Sequence, residues 1–587
     1  MGEGRGSRPN GATPGARQGP SAPWDNDAVT FLGVRSWRLP HRLRRGALWA
    51  LAILSALLLS CGWAMSSPVG ASPDEVHHVV YAWGSATGQT LPGRAKETWR
   101  DNGAALTSII VPGNMLESLD RSCYAFKPTE PACAIDPGEG AGVYRLTSSS
   151  MTRYPPLYYL GTGLVMRGAM ALGSNAVVAI IAARVFSGMV SLMAVGLAAV
   201  CLGRRFGAQQ TLVVLALTMT PQFLFLSASV NPNGFEIAFA FAQAACVVAL
   251  IHEVGAGRKA GAPLAAGLCA TTLCLGLARP ASIVWALAAT LLLLVPFTGR
   301  PALAGLARGW RVAFCACLAV GIGWFVYLNA LRQGGVTDHD VSTWEGYSFS
   351  LRSLLVVLKF GDIVESGYSL LGWADTKMPR FFLIAWLVVG AAALARLSSG
   401  GRPPVMRQRW AFTYLAVCAG ATAVQSFMAG FGWQGRYFMP CVAAFTVLLL
   451  PGMSAGAQPD HDLRTTNTAL LVLVTTWLLD TGAVMLNLGR YLYGYSDLYK
   501  LFEQLPVPTP VVAWQPVISR FGPVYLAVVG GTVLFLIGCL LSRRRRTGDA
   551  IVIGRTGGRE EISSATEWDP PVPSPGAAGG PPGGSTS

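Results

Sequence analysis

Apolar runs of about 17–25 residues recur from Trp49 to Leu541, and each is long enough to cross a bilayer. Lipid offers no hydrogen-bond partner to an open backbone, so runs this long and continuous specify membrane-spanning helices. The chain is therefore expected to be an all-α, polytopic transmembrane bundle. Its 13% of charged residues agree, since a soluble protein carries about 25%. The net charge of +15 is spread over short loops and tails, the positive-inside pattern, and nucleic acid is not an expected partner.

The same rule orients the chain. Arg42, Arg44 and Arg45 precede the first run and place the N-terminus in the cytoplasm. Twelve spans are expected, at about 47–65, 176–202, 211–229, 234–251, 263–278, 281–298, 312–331, 380–396, 411–429, 437–452, 466–487 and 521–541. Arg543–Arg546 return the C-terminus to the cytoplasm. Because many spans follow Trp49–Met65, that run is a retained anchor and not a cleaved signal. Pro156–Leu172 is different. A span there would invert every later basic loop, and the segment opens on Tyr154-Pro155-Pro156-Leu157-Tyr158-Tyr159 and carries Arg167. It is expected to lie in the membrane interface.

This divides the chain into a basic, disordered cytoplasmic N-terminus (1–46), a transmembrane domain (47–541) and a disordered cytoplasmic tail (542–587). Residues 66–175, 332–379 and 488–520 form the outer loops, the first holding the interfacial helix. Of twelve cysteines, all but Cys123 and Cys133 lie in apolar segments as small buried side chains. Outside the cytoplasm, that one pair is open to disulfide formation.

Candidate chemistry starts at Ser72-Pro73-Asp74-Glu75-Val76-His77-His78, just past the first span. A carboxylate there can take a proton from an attacking hydroxyl. His77 or His78 can orient it, share a metal with it or meet a phosphate. The same run is also a good helix start, with proline and acids in the first turn. Arg279 and Arg436 fall at the outer ends of spans, where a guanidinium can hold a phosphate bidentately or extend to ordinary headgroups. Glu236, just inside a span after Asn231-Pro232-Asn233-Gly234, and Asp480, deep in another, are intramembrane acids of the kind that mark function. Glu236 also suits the positive end of its helix. Asp338-His339-Asp340 is a solvated loop in preference to a metal site, because three ligand types in a row define no geometry.

At these residues the chain resembles a family of bacterial multi-spanning membrane proteins of unassigned function, grouped with the GT-C glycosyltransferases. The matching marks are Pro73-Asp74-Glu75 with His78, Tyr154-Pro155-Pro156-Leu157-Tyr158-Tyr159, Ser229–Gly234, Arg279-Pro280 and Gln434-Gly435-Arg436-Tyr437-Phe438. They cover roughly residues 47–541. Asn233 and Arg279 depart from the usual Asp and Lys. The resemblance implies a polyprenyl-phosphate-linked sugar as donor and an essential acid in the first outer loop. Asp74 would be the base, and Glu75 and His78 its supports or the ligands, with Asp74, of a divalent metal (Mg or Mn). Arg279 and Arg436 would contact phosphate, with Tyr154, Asn231 and Gln434 beside the substrate. The expected protein is then a transferase in the plasma membrane acting among membrane lipids. It would pass sugar to a cell-envelope glycan or glycolipid. Two alternatives stay open: a transporter or flippase of a lipid-linked saccharide, and a non-catalytic subunit of an envelope complex.

Overall fold

The computed structural model describes residues 41–91, 96–99, 105–136, 138–151, 154–294, 301–330, 347–398, 412–420, 422–423, 434–448, 459–495 and 513–552. The chain divides into Met1–Ala50 and Leu51–Ser587, and the site lies in the second unit. Asp338-His339-Asp340 and most of both tails fall outside the described residues.

The protein is mainly helical and embedded in the membrane. Among the described residues six helices are long and apolar enough to cross it: Ala47–Ala64, Ala176–Phe206, Pro232–Gly255, Arg308–Tyr327, Thr466–Tyr493 and Gly522–Leu540. The segment expected to span at 211–229 is broken into Ala208–Thr218 and Pro221–Ser227, bent by 73°. Pro221 has no N–H to continue the first helix. The Thr220 hydroxyl caps the second, accepting from the Phe223 N–H at 3.2 Å. Counting this bent pair as one span gives seven. In the runs at 263–278, 281–298 and 437–452 the described helices are Ala262–Gly276, Ser282–Leu294 and Met439–Leu448, of 15, 13 and 10 residues; the last two reach the edge of the described residues, and the first is short of the roughly 20 that a crossing needs. Arg380–Ser398 is a helix of 19 residues, and 411–429 lies partly outside the described residues. The count of twelve is thus not reproduced among the described residues.

Pro232–Gly255 is the axis of the bundle: 89% of its most apolar window is buried inside the protein, against 11% for Arg308–Tyr327. Asn231 caps it, its side chain accepting from the Asn233 N–H at 3.0 Å, with proline in the first turn. Ala176–Phe206, Ala262–Gly276 and Met439–Leu448 pack around it.

The segment after the first span is more structured than a loop. Helix Glu75–Ala86 packs against helix Pro156–Ala171. Gly163 lets the two touch, since a Cβ there would lie 2.0 Å from the Ala82 carbonyl oxygen. Strands Lys96–Trp99, Ala105–Pro112 and Tyr144–Ser149 form an antiparallel sheet in sequence order. It buries Ile109 and Val111 beneath it, a small exception to the all-α expectation. Cys123 and Cys133 form a disulfide, with Cα atoms 6.1 Å apart.

Two further helical stretches fall in segments read as loop and tail. The segment 332–379 contains a 21-residue helix, Phe349–Ser369, followed by a short hairpin. The last helix continues to Val552, so 542–552 is helical. Phe349–Ser369 carries the turn that delivers Arg436. The Gly435 N–H donates to the Ser366 hydroxyl at 2.7 Å. A Cβ on Gly435 would sit 1.8 Å from the Ile363 carbonyl oxygen and 2.3 Å from the Gly367 nitrogen. Backbone against backbone cannot give way as a side chain can. Gly435→Ala is therefore expected to cost about 1–3 kcal/mol or more, read as a lower melting temperature and less monodisperse protein; an unchanged melting temperature would contradict this packing.

Candidate functional site

The two adjacent acids point in different directions. Glu75 is fully buried and Arg184, from the first third of Ala176–Phe206, meets it. Arg184 Nε and Nη2 reach the two Glu75 oxygens at 2.7 and 2.5 Å. Its other donors reach the carbonyls of Ala64, Ser67 and Pro68 at 2.7, 3.0 and 2.7 Å. All five N–H groups of the guanidinium are used. Glu75 also accepts from the N–H groups of Gly70, Ser72 and Val230, at 3.0, 3.3 and 2.9 Å. Both groups are spent on holding the chain.

Asp74 is held by the turn that these bonds fix. Its φ is +60°, the left-handed region that costs a non-glycine residue energy and is often found at functional sites. As the residue before helix Glu75–Ala86 it makes no side-chain cap bond, so the helix-cap reading does not apply to its carboxylate. That group is 43% exposed and faces Arg436, Oδ2 lying 3.3 Å from Nη2. The turn is pinned from two further sides. Asn231 Nδ2 donates to the Pro73 carbonyl at 2.9 Å, and Trp373 Nε1 donates to the Gly70 carbonyl at 2.9 Å.

Arg279 and Arg436, far apart in sequence, share one aromatic ring. Their guanidinium carbons lie 4.5 and 4.9 Å from the Tyr437 ring centroid, a cation–π arrangement. Arg279 Nη1 donates to Asn233 at 2.7 Å and to Glu236 at 3.1 Å. Its Nη2 lies 3.5 Å from the Tyr154 hydroxyl. The Ser282 hydroxyl donates to the other Glu236 oxygen at 2.6 Å. Arg436 Nη2 donates to the Tyr437 hydroxyl at 2.9 Å. The Nε of each arginine is buried with no partner among the described residues. Unlike Arg184, both retain donors for something else.

His78 supports this cluster from beneath. It is buried, 2.8 Å from the Tyr159 hydroxyl through Nδ1, and edge-on to Tyr154. Burial first, then Arg279, His77 and Arg436, holds its imidazole well below its usual range, so it is neutral at neutral pH. Burial likewise raises Tyr154 above the ordinary phenol value, so its hydroxyl keeps its proton.

The residues expected at the site thus fall into groups. Asp74, Arg279, Arg436 and Tyr154 come together, and Asn231 holds the turn from below. Gln434 contributes its carbonyl, which accepts from the Tyr437 N–H at 3.1 Å. Among the described residues no three His, Cys, Asp or Glu side chains converge on a metal position. Asp74 faces a guanidinium, Glu75 is spent on Arg184 and His78 Nδ1 on Tyr159. This donor set does not fit a divalent ion. Asp480 lies away in helix Pro459–Tyr493, with Oδ1 unpartnered among the described residues. Arg184 and Trp373 are the residues that the sequence reading missed, and Tyr437 stood in a quoted motif without a role. An arginine inside an apolar span is itself a signal, and Arg184 carried it.

The division between the two acids is testable. Glu75→Gln leaves Arg184 buried without its counter-charge, and should lower stability by about 3–5 kcal/mol. Asp74→Gly relieves a positive φ and should leave the unfolding temperature at or above wild type. Thermal unfolding of the purified protein measures both, and similar losses would contradict the assignment.

The sequence profile of the predicted membrane protein family DUF2142 matches residues 57–445, a span that holds every group of the cluster. No curated protein matches the chain. Among solved structures it is similar to ArnT from Cupriavidus metallidurans bound to undecaprenyl phosphate, at 14% identity and a TM-score of 0.38, over 88% of this chain and 80% of ArnT. It is also similar to the archaeal oligosaccharyltransferase AglB from Archaeoglobus fulgidus in complex with an inhibitory peptide and a dolichol-phosphate. There the identity is 10% and the TM-score 0.38, over 83% of this chain and 64% of AglB. Nothing about the site rests on these two likenesses. With two-thirds of its length matched by that one profile, the chain belongs to the DUF2142 family of membrane proteins.

Proposed function

We propose that this protein is an integral membrane glycosyltransferase of the plasma membrane, with its site on the outer face. A sugar carried on a polyprenyl phosphate would be passed to a cell-envelope glycan or glycolipid, with inversion at the sugar carbon. The observation that carries the reading is a half-exposed carboxylate, Asp74, beside two arginines that have donors to spare.

Each part has a use in that reaction. Asp74 takes the proton of the acceptor hydroxyl as it attacks. Arg279 and Arg436 hold the phosphate, a leaving group that needs positive charge and not a proton. Tyr154 is a neutral hydroxyl next to Arg279, able to hydrogen-bond sugar or phosphate oxygen. His78, neutral and enclosed, positions Tyr154 through its ring. Glu75 and Arg184 take no part in the chemistry; they fix the turn that presents Asp74. The basic residues before the first span and after the last support cytoplasmic termini and an outward-facing site.

The transporter alternative places its working charges in mid-membrane. Against it, Asp74 lies just past the first span, Ala47–Ala64, and Arg279 and Arg436 join it from the ends of shorter apolar helices. The test is complementation of a deletion strain, reading lipid-linked sugars and envelope glycans by mass spectrometry. Loss of the protein should accumulate one lipid-linked sugar and remove one decoration. Asp74→Asn, made at wild-type levels, should reduce transfer by about 10²–10⁴-fold, as loss of a general base does. Near-wild-type transfer by Asp74→Asn would remove Asp74 as the base.

A further inference from the structure

We infer that Arg436 couples the two halves of the transfer: it pairs with Asp74 beforehand, and passes to the departing phosphate as Asp74 takes the acceptor's proton. The inference rests on the transferase reading and deepens it.

The two arginines of the cluster are balanced differently. Arg279 faces Glu236, which is 1% exposed and anchored by the Ser282 hydroxyl at 2.6 Å. That acid is enclosed and permanently committed. Arg436 faces Asp74, whose side chain is 43% exposed while that of Arg436 is 5% exposed. Their separation of 3.3 Å is long for a charge-assisted hydrogen bond, which runs about 2.7–2.9 Å. The guanidinium, by contrast, is fixed. It lies against the Tyr437 ring and donates to its hydroxyl, on a turn locked to helix Phe349–Ser369 through Gly435 and Ser366. A held cation thus meets a reachable anion, and its Nε is still unpartnered among the described residues.

The charges of the reaction map onto this pair. The acceptor O–H bond breaks and its proton goes to Asp74. The electron pair forms the new bond from oxygen to the sugar carbon. The bond from that carbon to the phosphate oxygen breaks, and its pair stays on the phosphate. The phosphate passes from a singly charged diester to a monoester able to carry two charges. One negative charge therefore disappears from Asp74 as one appears on the phosphate. Arg436 loses its first counter-ion in the same event that creates its second. Stabilisation that exists only once charge has moved favours the transition state over the ground state.

The test uses a polyprenyl monophosphate as probe, titrated into the full-length protein in lipid nanodiscs. Asp74→Asn mimics the protonated acid and should tighten binding by roughly five- to thirtyfold, within the usual range of site coupling. In an Arg436→Gln background, Asp74→Asn should change affinity by less than about twofold. Arg436→Lys, which keeps the charge, should preserve part of the coupling and guards against a folding defect in the glutamine variant. Equal tightening in both backgrounds would mean simple repulsion between Asp74 and the phosphate, and would overturn the coupling while leaving the transferase reading intact. No tightening by Asp74→Asn would overturn it as well. Failure of the wild type to bind the probe at all would overturn the transferase reading, and this inference with it.

Discussion

The site end of the bundle depends on the buried ion pair between Glu75 and Arg184. Removing two charges from water is costly, and a buried pair adds little net stability over apolar side chains of the same volume. What it supplies here is geometry. Arg184 gathers three carbonyls from the end of the first span and both oxygens of Glu75 onto one planar group. Glu75 in turn gathers backbone N–H groups from its own turn and from Val230, at the cap of the axial helix. A substitution at either residue leaves several buried polar groups unsatisfied together, so the turn has one stable form.

That single form is what allows Asp74 to keep a positive φ. A left-handed aspartate persists when its surroundings over-determine it, and here Arg184, Asn231 and Trp373 hold the flanking carbonyls from three elements. The carboxylate is thereby directed toward Arg436. Donor accounting then separates the arginines by function. One whose five N–H groups are all bonded inside the protein is part of the frame. Two that lie on a shared tyrosine ring, with Nε unpartnered among the described residues, are those proposed to hold an anion.

Much of this was legible in the sequence. Apolar run length gave a helical membrane protein, and the motifs at Asp74, Asn231, Arg279 and Arg436 named residues that do meet. The opposite roles of Asp74 and Glu75 were not legible. Adjacent residues in a turn diverge according to backbone dihedrals and to partners far along the chain, and neither is written locally. Arg184 was hidden because a run read for mean apolarity absorbs one charge, although that charge is the signal. The span count of twelve is not confirmed among the described residues. Hydropathy measures apolar length, whereas Thr220-Pro221 breaks one run within its length and the helix of another, Ala262–Gly276, ends after 15 residues.

The division between framing and ligand-holding arginines is the central claim, and a cryo-EM structure of the full-length protein with a bound polyprenyl phosphate tests it most directly. The account predicts the phosphate within hydrogen-bond distance of Arg279 and Arg436, beside Asp74, with the Glu75–Arg184 pair undisturbed. A phosphate bound elsewhere, or one that displaces Glu75 from Arg184, would contradict it.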